Sequence, residues 1–198
     1  MKEKIILVGL PKCGTLSFNE YFSRLGYKSC HFLIDDCTLH IATVIQTNFE
    51  NNVPLLSGKL EEYDAFTQMD ACTHETCIFP QITMLEELTS QYANAKFILN
   101  SRDTAKHAKS IMTWCNYLER LSNFDMKHFP KKKTSFEDVQ HWIESHNQDI
   151  RDFFRQRPCV QFMEINIEDI DIDVKLPQFL GRTTTIQFPK TNVTKEHD

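Results

Sequence analysis

An apolar run, Ile5-Ile6-Leu7-Val8, leads straight into the loop Gly9-Leu10-Pro11-Lys12-Cys13-Gly14-Thr15-Leu16-Ser17, and Phe18, Tyr21, Phe22 and Leu25 then recur at helical spacing up to Gly26, which is placed to end the helix. Few arrangements constrain a fold more tightly. A buried strand delivers the chain to a tight turn, the turn opens a helix, and the free N–H groups of the first helical turn face an anion. The chain holds only five glycines in 198 residues, where average usage is about 7%, so glycine is expected where no other residue fits. The plainer alternative is an ordinary strand-to-helix turn.

The spacing from Gly9 to Gly14 fits the first part of the triphosphatase loop G-x-x-x-x-G-K-[ST], but Thr15 and Leu16 stand where a lysine and a magnesium-binding hydroxyl belong. The loop's lysine is Lys12, before the second glycine. Thr15 and Ser17 offer hydroxyls after it. A phosphate held without an obvious metal is the chemistry this predicts.

The segment Pro11-Lys12-Cys13-Gly14-Thr15-Leu16-Ser17 resembles the P-K-x-G-T-[ST]-[ST] loop of sulfotransferases that use 3′-phosphoadenosine 5′-phosphosulfate. The resemblance implies that these seven residues bind the 5′-phosphosulfate. Leu16 departs from it, losing one side-chain donor while keeping the backbone N–H. A second segment matches the other end of that nucleotide: Lys96-Phe97-Ile98-Leu99-Asn100 reads as a strand, followed by Ser101-Arg102-Asp103 and a helix with apolar positions at Ala108, Ile111, Met112, Cys115 and Leu118. In the family, an arginine and a serine at this interval hold the 3′-phosphate, which implies that role for Arg102 and Ser110. Thr104 replaces the family's proline. Taken singly, Arg102 reads equally well as a surface ion-pairing residue and Ser110 as an ordinary helical serine. An arginine fork nevertheless suits a phosphate dianion because its planar N–H groups match the oxygens.

Charge is distributed accordingly. Residues 1–30 carry five basic and two acidic side chains, residues 96–133 nine and three, and the intervening 31–95 one and ten, in a chain of net charge −5. Positive charge thus gathers in the two segments proposed to meet an anion. Lys127, Lys131, Lys132 and Lys133 read more simply as a solvated loop.

Short apolar runs alternating with helical patterns predict an α/β fold, a three-layer sandwich with a central parallel sheet, and the resemblance implies a P-loop nucleotide-hydrolase-like sulfotransferase architecture. Strands are expected near 4–8, 63–68, 96–100 and 159–165. Helices are expected near 15–25, 36–48, 80–92, 104–122 and 135–156, the last opened by a capping box of Thr134 and Glu137. The stripe Phe136, Val139, Ile143, Ile150 and Phe153 reads as core packing. No linker-like composition divides the chain, so one domain over 1–198 is expected. Seven cysteines without a secretory leader, and no apolar stretch long enough to span a bilayer, predict reduced thiols and a cytoplasmic protein. Tyr63-Asp64-Ala65-Phe66, Phe79-Pro80, Phe179-Leu180-Gly181 and Phe188-Pro189-Lys190-Thr191-Asn192 resemble a small-sulfotransferase branch, which extends the resemblance over most of the chain, with residues 123–135 and the last few least constrained.

Sulfuryl transfer builds negative charge on the oxygen bridging to the departing nucleotide, and the resemblance implies that Lys12 and the loop N–H groups stabilise it. A general base must take the acceptor's proton. Asp70 and His74, after a predicted strand end, and His31, after the first helix, are the candidates, each of which also reads as a turn, cap or structural residue. Cys72, His74 and Cys77 invite a metal reading, but C-x-H-x-x-C lacks a fourth ligand and a paired C-x-x-C, and no metal is expected. The expectation is a sulfotransferase with 3′-phosphoadenosine 5′-phosphosulfate as co-substrate and a small-molecule or carbohydrate acceptor, without nucleic acid or membrane partners. The alternatives are a nucleotide-binding or interaction protein of the same fold with lost catalysis, and a nucleotide phosphotransferase.

Overall fold

Ile5 and Leu7 pack into one hydrophobic cluster, while Ile6 and Val8 pack into another on the opposite side. That alternation, with every residue of the run buried, is the signature of a central strand covered on both faces. In the computed structural model, which describes residues 3–34, 37–130 and 134–191, this strand is β1 (Ile5–Leu7). It is followed in order by α1 (Thr15–Arg24), β2 (Ser29–Cys30), β3 (Leu33–Ile34), β4 (Leu39–His40), α2 (Ile41–Glu50), β5 (Ala65–Phe66), β6 (Ala71–Cys72), β7 (Cys77–Ile78), α3 (Pro80–Thr83), α4 (Leu85–Gln91), β8 (Lys96–Ser101), α5 (Thr104–Met112), α6 (Tyr117–Ser122), α7 (Phe136–Arg155), β9 (Gln161–Asn166) and α8 (Ile172–Leu180).

Five strands form one sheet in the order β2-β5-β1-β8-β9, and every neighbouring pair is parallel. The fold is α/β, with a central parallel sheet flanked by helices. One face carries Ile6, Val8, Phe66, Phe97 and Leu99 against Ile41 and Ile45 of α2, Leu88 of α4, and Ile150 and Phe154 of α7. The other carries Ile5, Leu7, Ala65, Ile98 and Ile165 against Phe18, Tyr21 and Phe22 of α1 and Leu176 and Leu180 of α8. β1 and β8 are neighbours in register, Leu7 opposite Ile98, although the chain reaches β8 only after building the β5 side. The loops leaving the carboxyl ends of these two strands therefore diverge around a crevice, the place where such sheets receive ligands.

Several boundaries differ from the sequence expectation. The stretch 80–92 is two helices divided at Met84, whose backbone leaves the helical region (φ −129°) so that its side chain reaches the core. The stretch 104–122 is likewise divided. Cys115 takes a positive φ of 44°, and the reversal leaves Met112 and Cys115, expected to be buried, at the surface. Helix α2 begins at Ile41 rather than near 36, residue 36 lying outside the described residues. The capping box of α7 is made by Ser135 and Asp138, one residue beyond the expected pair. Asp138 donates its N–H to the Ser135 hydroxyl, and the Ser135 N–H donates to the Asp138 carboxylate. Lys131, Lys132, Lys133 and Asn192 also fall outside the described residues. The edge strand β2, the hairpins β3–β4 and β6–β7, and α8 were not anticipated. Two-residue strands carry no readable period, and Pro177 inside α8 reads as a helix breaker.

Candidate functional site

The loop from Gly9 to Gly14 is gripped from below by three buried side chains. Asn100, at the end of β8, accepts a hydrogen bond from the Gly9 N–H (3.1 Å) and donates one to the Cys13 carbonyl (2.8 Å), tying both ends of the loop to one amide. His146 of α7 is bonded to the Val8 carbonyl (2.9 Å) and His107 of α5 to the Pro11 carbonyl (2.8 Å). A carbonyl only accepts, so Nε2 of each ring carries the proton. Burial holds both imidazoles neutral, with pKa values lowered to about 4. Backbone groups that a tight turn cannot pair are thus satisfied from beneath.

Above this base the backbone takes uncommon conformations. Gly14 has φ +70° at the N-terminus of α1, and Lys12 has φ +65°, an uncommon conformation for a residue with a side chain. The first helical bond runs from the Phe18 N–H to the Gly14 carbonyl (3.0 Å), so the N–H groups of Thr15, Leu16 and Ser17 have no acceptor within the helix. Leu16, where the resemblance has a hydroxyl, still contributes its N–H. The two hydroxyls of the loop are less free than the sequence implied. Thr15 donates to the Gln68 side-chain carbonyl (3.1 Å), which leaves it only an acceptor toward His31 Nε2 (3.0 Å). The Ser17 hydroxyl accepts from the Thr191 N–H (3.0 Å). Thr191 follows Phe188, whose ring packs on Phe18 and Tyr21, so the late Phe188–Thr191 segment lies along α1.

Lys12 places its ammonium 5.2 Å from the centre of the Trp114 ring, and among the described residues no carboxylate pairs with it. Its pKa is lowered by burial and by the guanidinium of Arg102, against an opposing effect from Cys115. Arg102 leaves β8 as Lys12 leaves β1. Its Nη2 lies 3.4 Å from Glu168, in the turn after β9, and Lys106 reaches the same carboxylate at 3.0 Å. The ion-pair reading of Arg102 is therefore partly realised, yet its Nε is buried with no hydrogen-bond partner. A cavity of about 620 Å³ opens beside it, lined among others by Ser101, Arg151, Glu164 and Asn166. Ser110 is buried on α5, one turn beyond His107. Cys13 is fully buried, and burial pushes its thiol up to about 12, so it supports the loop as packing.

The three candidate bases separate clearly. Asp70 is 2% exposed and accepts from the Nε2 groups of Gln68 (3.3 Å) and Gln81 (3.5 Å). Burial raises its pKa to about 7. Through Gln68 it connects to Thr15 and thence to His31, whose pKa burial lowers to about 4. His74 stands apart at the exposed tip of the β6–β7 hairpin, bonded to Asn116 (3.2 Å). The structure thus links Asp70 and His31, through Gln68, to Thr15 at the start of α1 and leaves His74 outside that chain.

The family described as Sulfotransferase domain matches residues 4–136 of the 198. The chain belongs to the sulfotransferase family. No curated protein matches it. All the expected site residues of this sulfotransferase-family chain lie within the matched stretch, while His146, Glu168 and Thr191, which complete the surroundings of its loop, lie beyond it. Sulfotransferase activity in general follows from the family. Among the described residues no helix is long and apolar enough to cross a membrane. The residues that sequence reasoning missed are Gln68, Asn100, His107, His146 and Glu168. Buried polar residues in or beside apolar strands and helices, such as Asn100 after Phe97-Ile98-Leu99, were the available signal.

Proposed function

We propose that the chain transfers a sulfuryl group from 3′-phosphoadenosine 5′-phosphosulfate to a hydroxyl or amine of a small-molecule or carbohydrate acceptor. The observation that carries this reading is the approach of two cations, Lys12 and Arg102, at the carboxyl ends of the adjacent strands β1 and β8. Burial lowers the Lys12 pKa and the Arg102 guanidinium adds to that in a smaller measure, and the free N–H groups of α1 begin beside Lys12. Like charges held together at a helix N-terminus are relieved by an anion.

In this reading the N–H groups of residues 14–17 hold the 5′-phosphosulfate, and Lys12 stabilises the charge that grows on the bridging oxygen. Arg102, with its unpartnered Nε, and Ser110 hold the 3′-phosphate. Thr15 serves as a structural link, since its proton already goes to Gln68. Asp70 is the proposed general base. A carboxyl with a pKa near 7 takes a proton at neutral pH and returns it, whereas His31, lowered to about 4, is a poor proton acceptor. Thr15 and Leu16 stand where a magnesium-dependent phosphotransferase needs a lysine and then a metal-binding hydroxyl.

Thermal unfolding with adenosine 3′,5′-bisphosphate tests the donor site. The bisphosphate is expected to raise Tm without magnesium, and Lys12→Ala and Arg102→Ala to reduce that rise. A chain that ignores the bisphosphate but responds to magnesium-ATP overturns the reading. Transfer assayed across sugars, phenols and amines then separates an enzyme from a nucleotide-binding protein of this fold, with Asp70→Asn expected to lower turnover by roughly 10²–10⁴-fold.

A further inference from the structure

The segment Cys72-Thr73-His74-Glu75-Thr76-Cys77 takes no part in the site described above, and its sulfurs are arranged for a chemistry of their own. Cys72 and Cys77 are direct partners across the antiparallel hairpin β6–β7. The next pair toward the tip is bridged by the Thr73 N–H donating to the Thr76 carbonyl (2.7 Å). Cys72 and Cys77 therefore occupy a pair without backbone hydrogen bonds of its own, where side chains on opposite strands come closest and Cα atoms stand about 4.5 Å apart. That separation lies within the range a disulfide spans, roughly 4.4–6.8 Å between Cα atoms. The two sulfurs are already 3.2 Å apart.

The turn keeps them there. The Thr73 hydroxyl accepts from the Glu75 N–H (3.1 Å) and the Thr76 N–H (3.0 Å), closing the four-residue tip. His74 is directed to Asn116 and away from the sulfurs. Among the described residues the other five cysteines are free thiols, Cys13 and Cys30 buried and Cys37, Cys115 and Cys159 exposed.

We propose that Cys72 and Cys77 form a modification site, a dithiol that hydrogen peroxide converts into an intramolecular disulfide. The two thiols are not equivalent. Cys77 donates its S–H to Cys72, and this bond together with the Arg120 guanidinium favours the Cys72 thiolate against burial and the Asp70 carboxylate, while Cys77 holds its proton. Cys72 is the attacking sulfur. Its thiolate bonds to one peroxide oxygen, the O–O bond breaks, and the departing hydroxide takes up a proton to become water. The Cys77 sulfur then attacks the Cys72 sulfenic acid, the S–O bond breaks, and hydroxide leaves with the Cys77 proton as a second water. Two thiols lose two electrons in total, and the peroxide gains them. The ring so closed spans six residues and constrains the unfolded chain little, so a dithiol reductant reopens it. The assignment stands independently of sulfuryl transfer.

The full chain, reduced, freed of reductant and treated with one equivalent of hydrogen peroxide, is denatured in an alkylating reagent and digested with trypsin. Both cysteines fall in one peptide, because no Lys or Arg lies between Leu60 and Ala95. That peptide is expected to appear unalkylated and lighter by two hydrogens, at a rate roughly tenfold or more above oxidation of Cys37, Cys115 or Cys159. Dithiothreitol is expected to restore both labels. In Cys77→Ser, dimedone is expected to trap Cys72 as its sulfenic acid. The proposal is overturned if both cysteines remain alkylatable while the exposed three oxidise, and the assignment of Cys72 as nucleophile is overturned if dimedone labels Cys77 in Cys72→Ser and leaves Cys72 unlabelled in Cys77→Ser.

Discussion

Gly9 lies so close to Asn100 that a Cβ atom at Gly9 would stand 2.5 Å from both the main-chain and the side-chain oxygen of Asn100. Neither oxygen can retreat, because the side chain is fixed at both ends by Gly9 and Cys13. Gly9→Ala is expected to lower stability by roughly 1–3 kcal/mol through overpacking. Asn100→Ala strands a buried N–H and a buried carbonyl, with an expected loss of roughly 2–4 kcal/mol. Urea unfolding curves at constant m-value measure both.

Acid is expected to weaken the fold through its buried imidazoles. His31, His107 and His146 have folded pKa values of about 4 against an ordinary 6.5. As pH falls below 6.5 the unfolded chain takes up protons there that the folded chain refuses, so their stabilising effect, complete above 6.5, is progressively lost. Asp70 acts in the opposite sense. Its pKa, raised from 3.8 to about 7, lets the folded chain hold a proton that the unfolded chain releases, which offsets one histidine of the three. Stability measured from pH 6.5 down to 5 should therefore fall, and His146→Gln, which can still donate to Val8, should flatten the slope by up to about 1.4 kcal/mol per pH unit.

Glu168 takes one N–H of Arg102, at Nη2, and is shared with Lys106. In the proposed site a 3′-phosphate competes with that carboxylate for the Nη2 N–H of Arg102. Glu168→Gln is expected to tighten adenosine 3′,5′-bisphosphate binding by roughly two- to fivefold, the scale of a partly exposed ion pair. Isothermal titration at fixed salt measures it, and weaker binding in the variant would assign Glu168 to holding Arg102 in place.

Trp114 reports on Lys12. The ammonium sits 5.2 Å from the indole, and a phosphosulfate that draws Lys12 toward the loop removes a cation from the ring face. Bisphosphate binding is expected to change tryptophan emission, and Trp114→Phe to abolish the change, since the other tryptophan, Trp142, is buried against Phe129.

The strands legible in the sequence were those inside a solid apolar or aromatic run, as in Ile5–Leu7, Lys96–Ser101 and the two-residue Ala65–Phe66 within the expected 63–68. The two-residue strands at Ser29–Cys30 and Ala71–Cys72 exist because of their partners, and nothing local announces them. The same divide runs through the site. Lys12, Gly14, Arg102 and Ser110 belong to contiguous motifs and were visible as such. Asn100, His107, His146 and Glu168 act across 62 to 138 residues of chain, and their roles depend on which strand lies beside which. The broken helix at Cys115 was missed because its apolar spacing continues through the break, while the backbone turns to bring Trp114 beside Lys12.

His146 reaches back across 138 residues to the Val8 carbonyl. The loop after β1 therefore waits on a helix far along the sequence. During synthesis β1 and α1 emerge before α7, but the base that shapes the turn between them is complete only once α7 has docked, and contacts of such long sequence separation form slowly. Anion affinity should thus appear late in refolding, after most helical signal has returned.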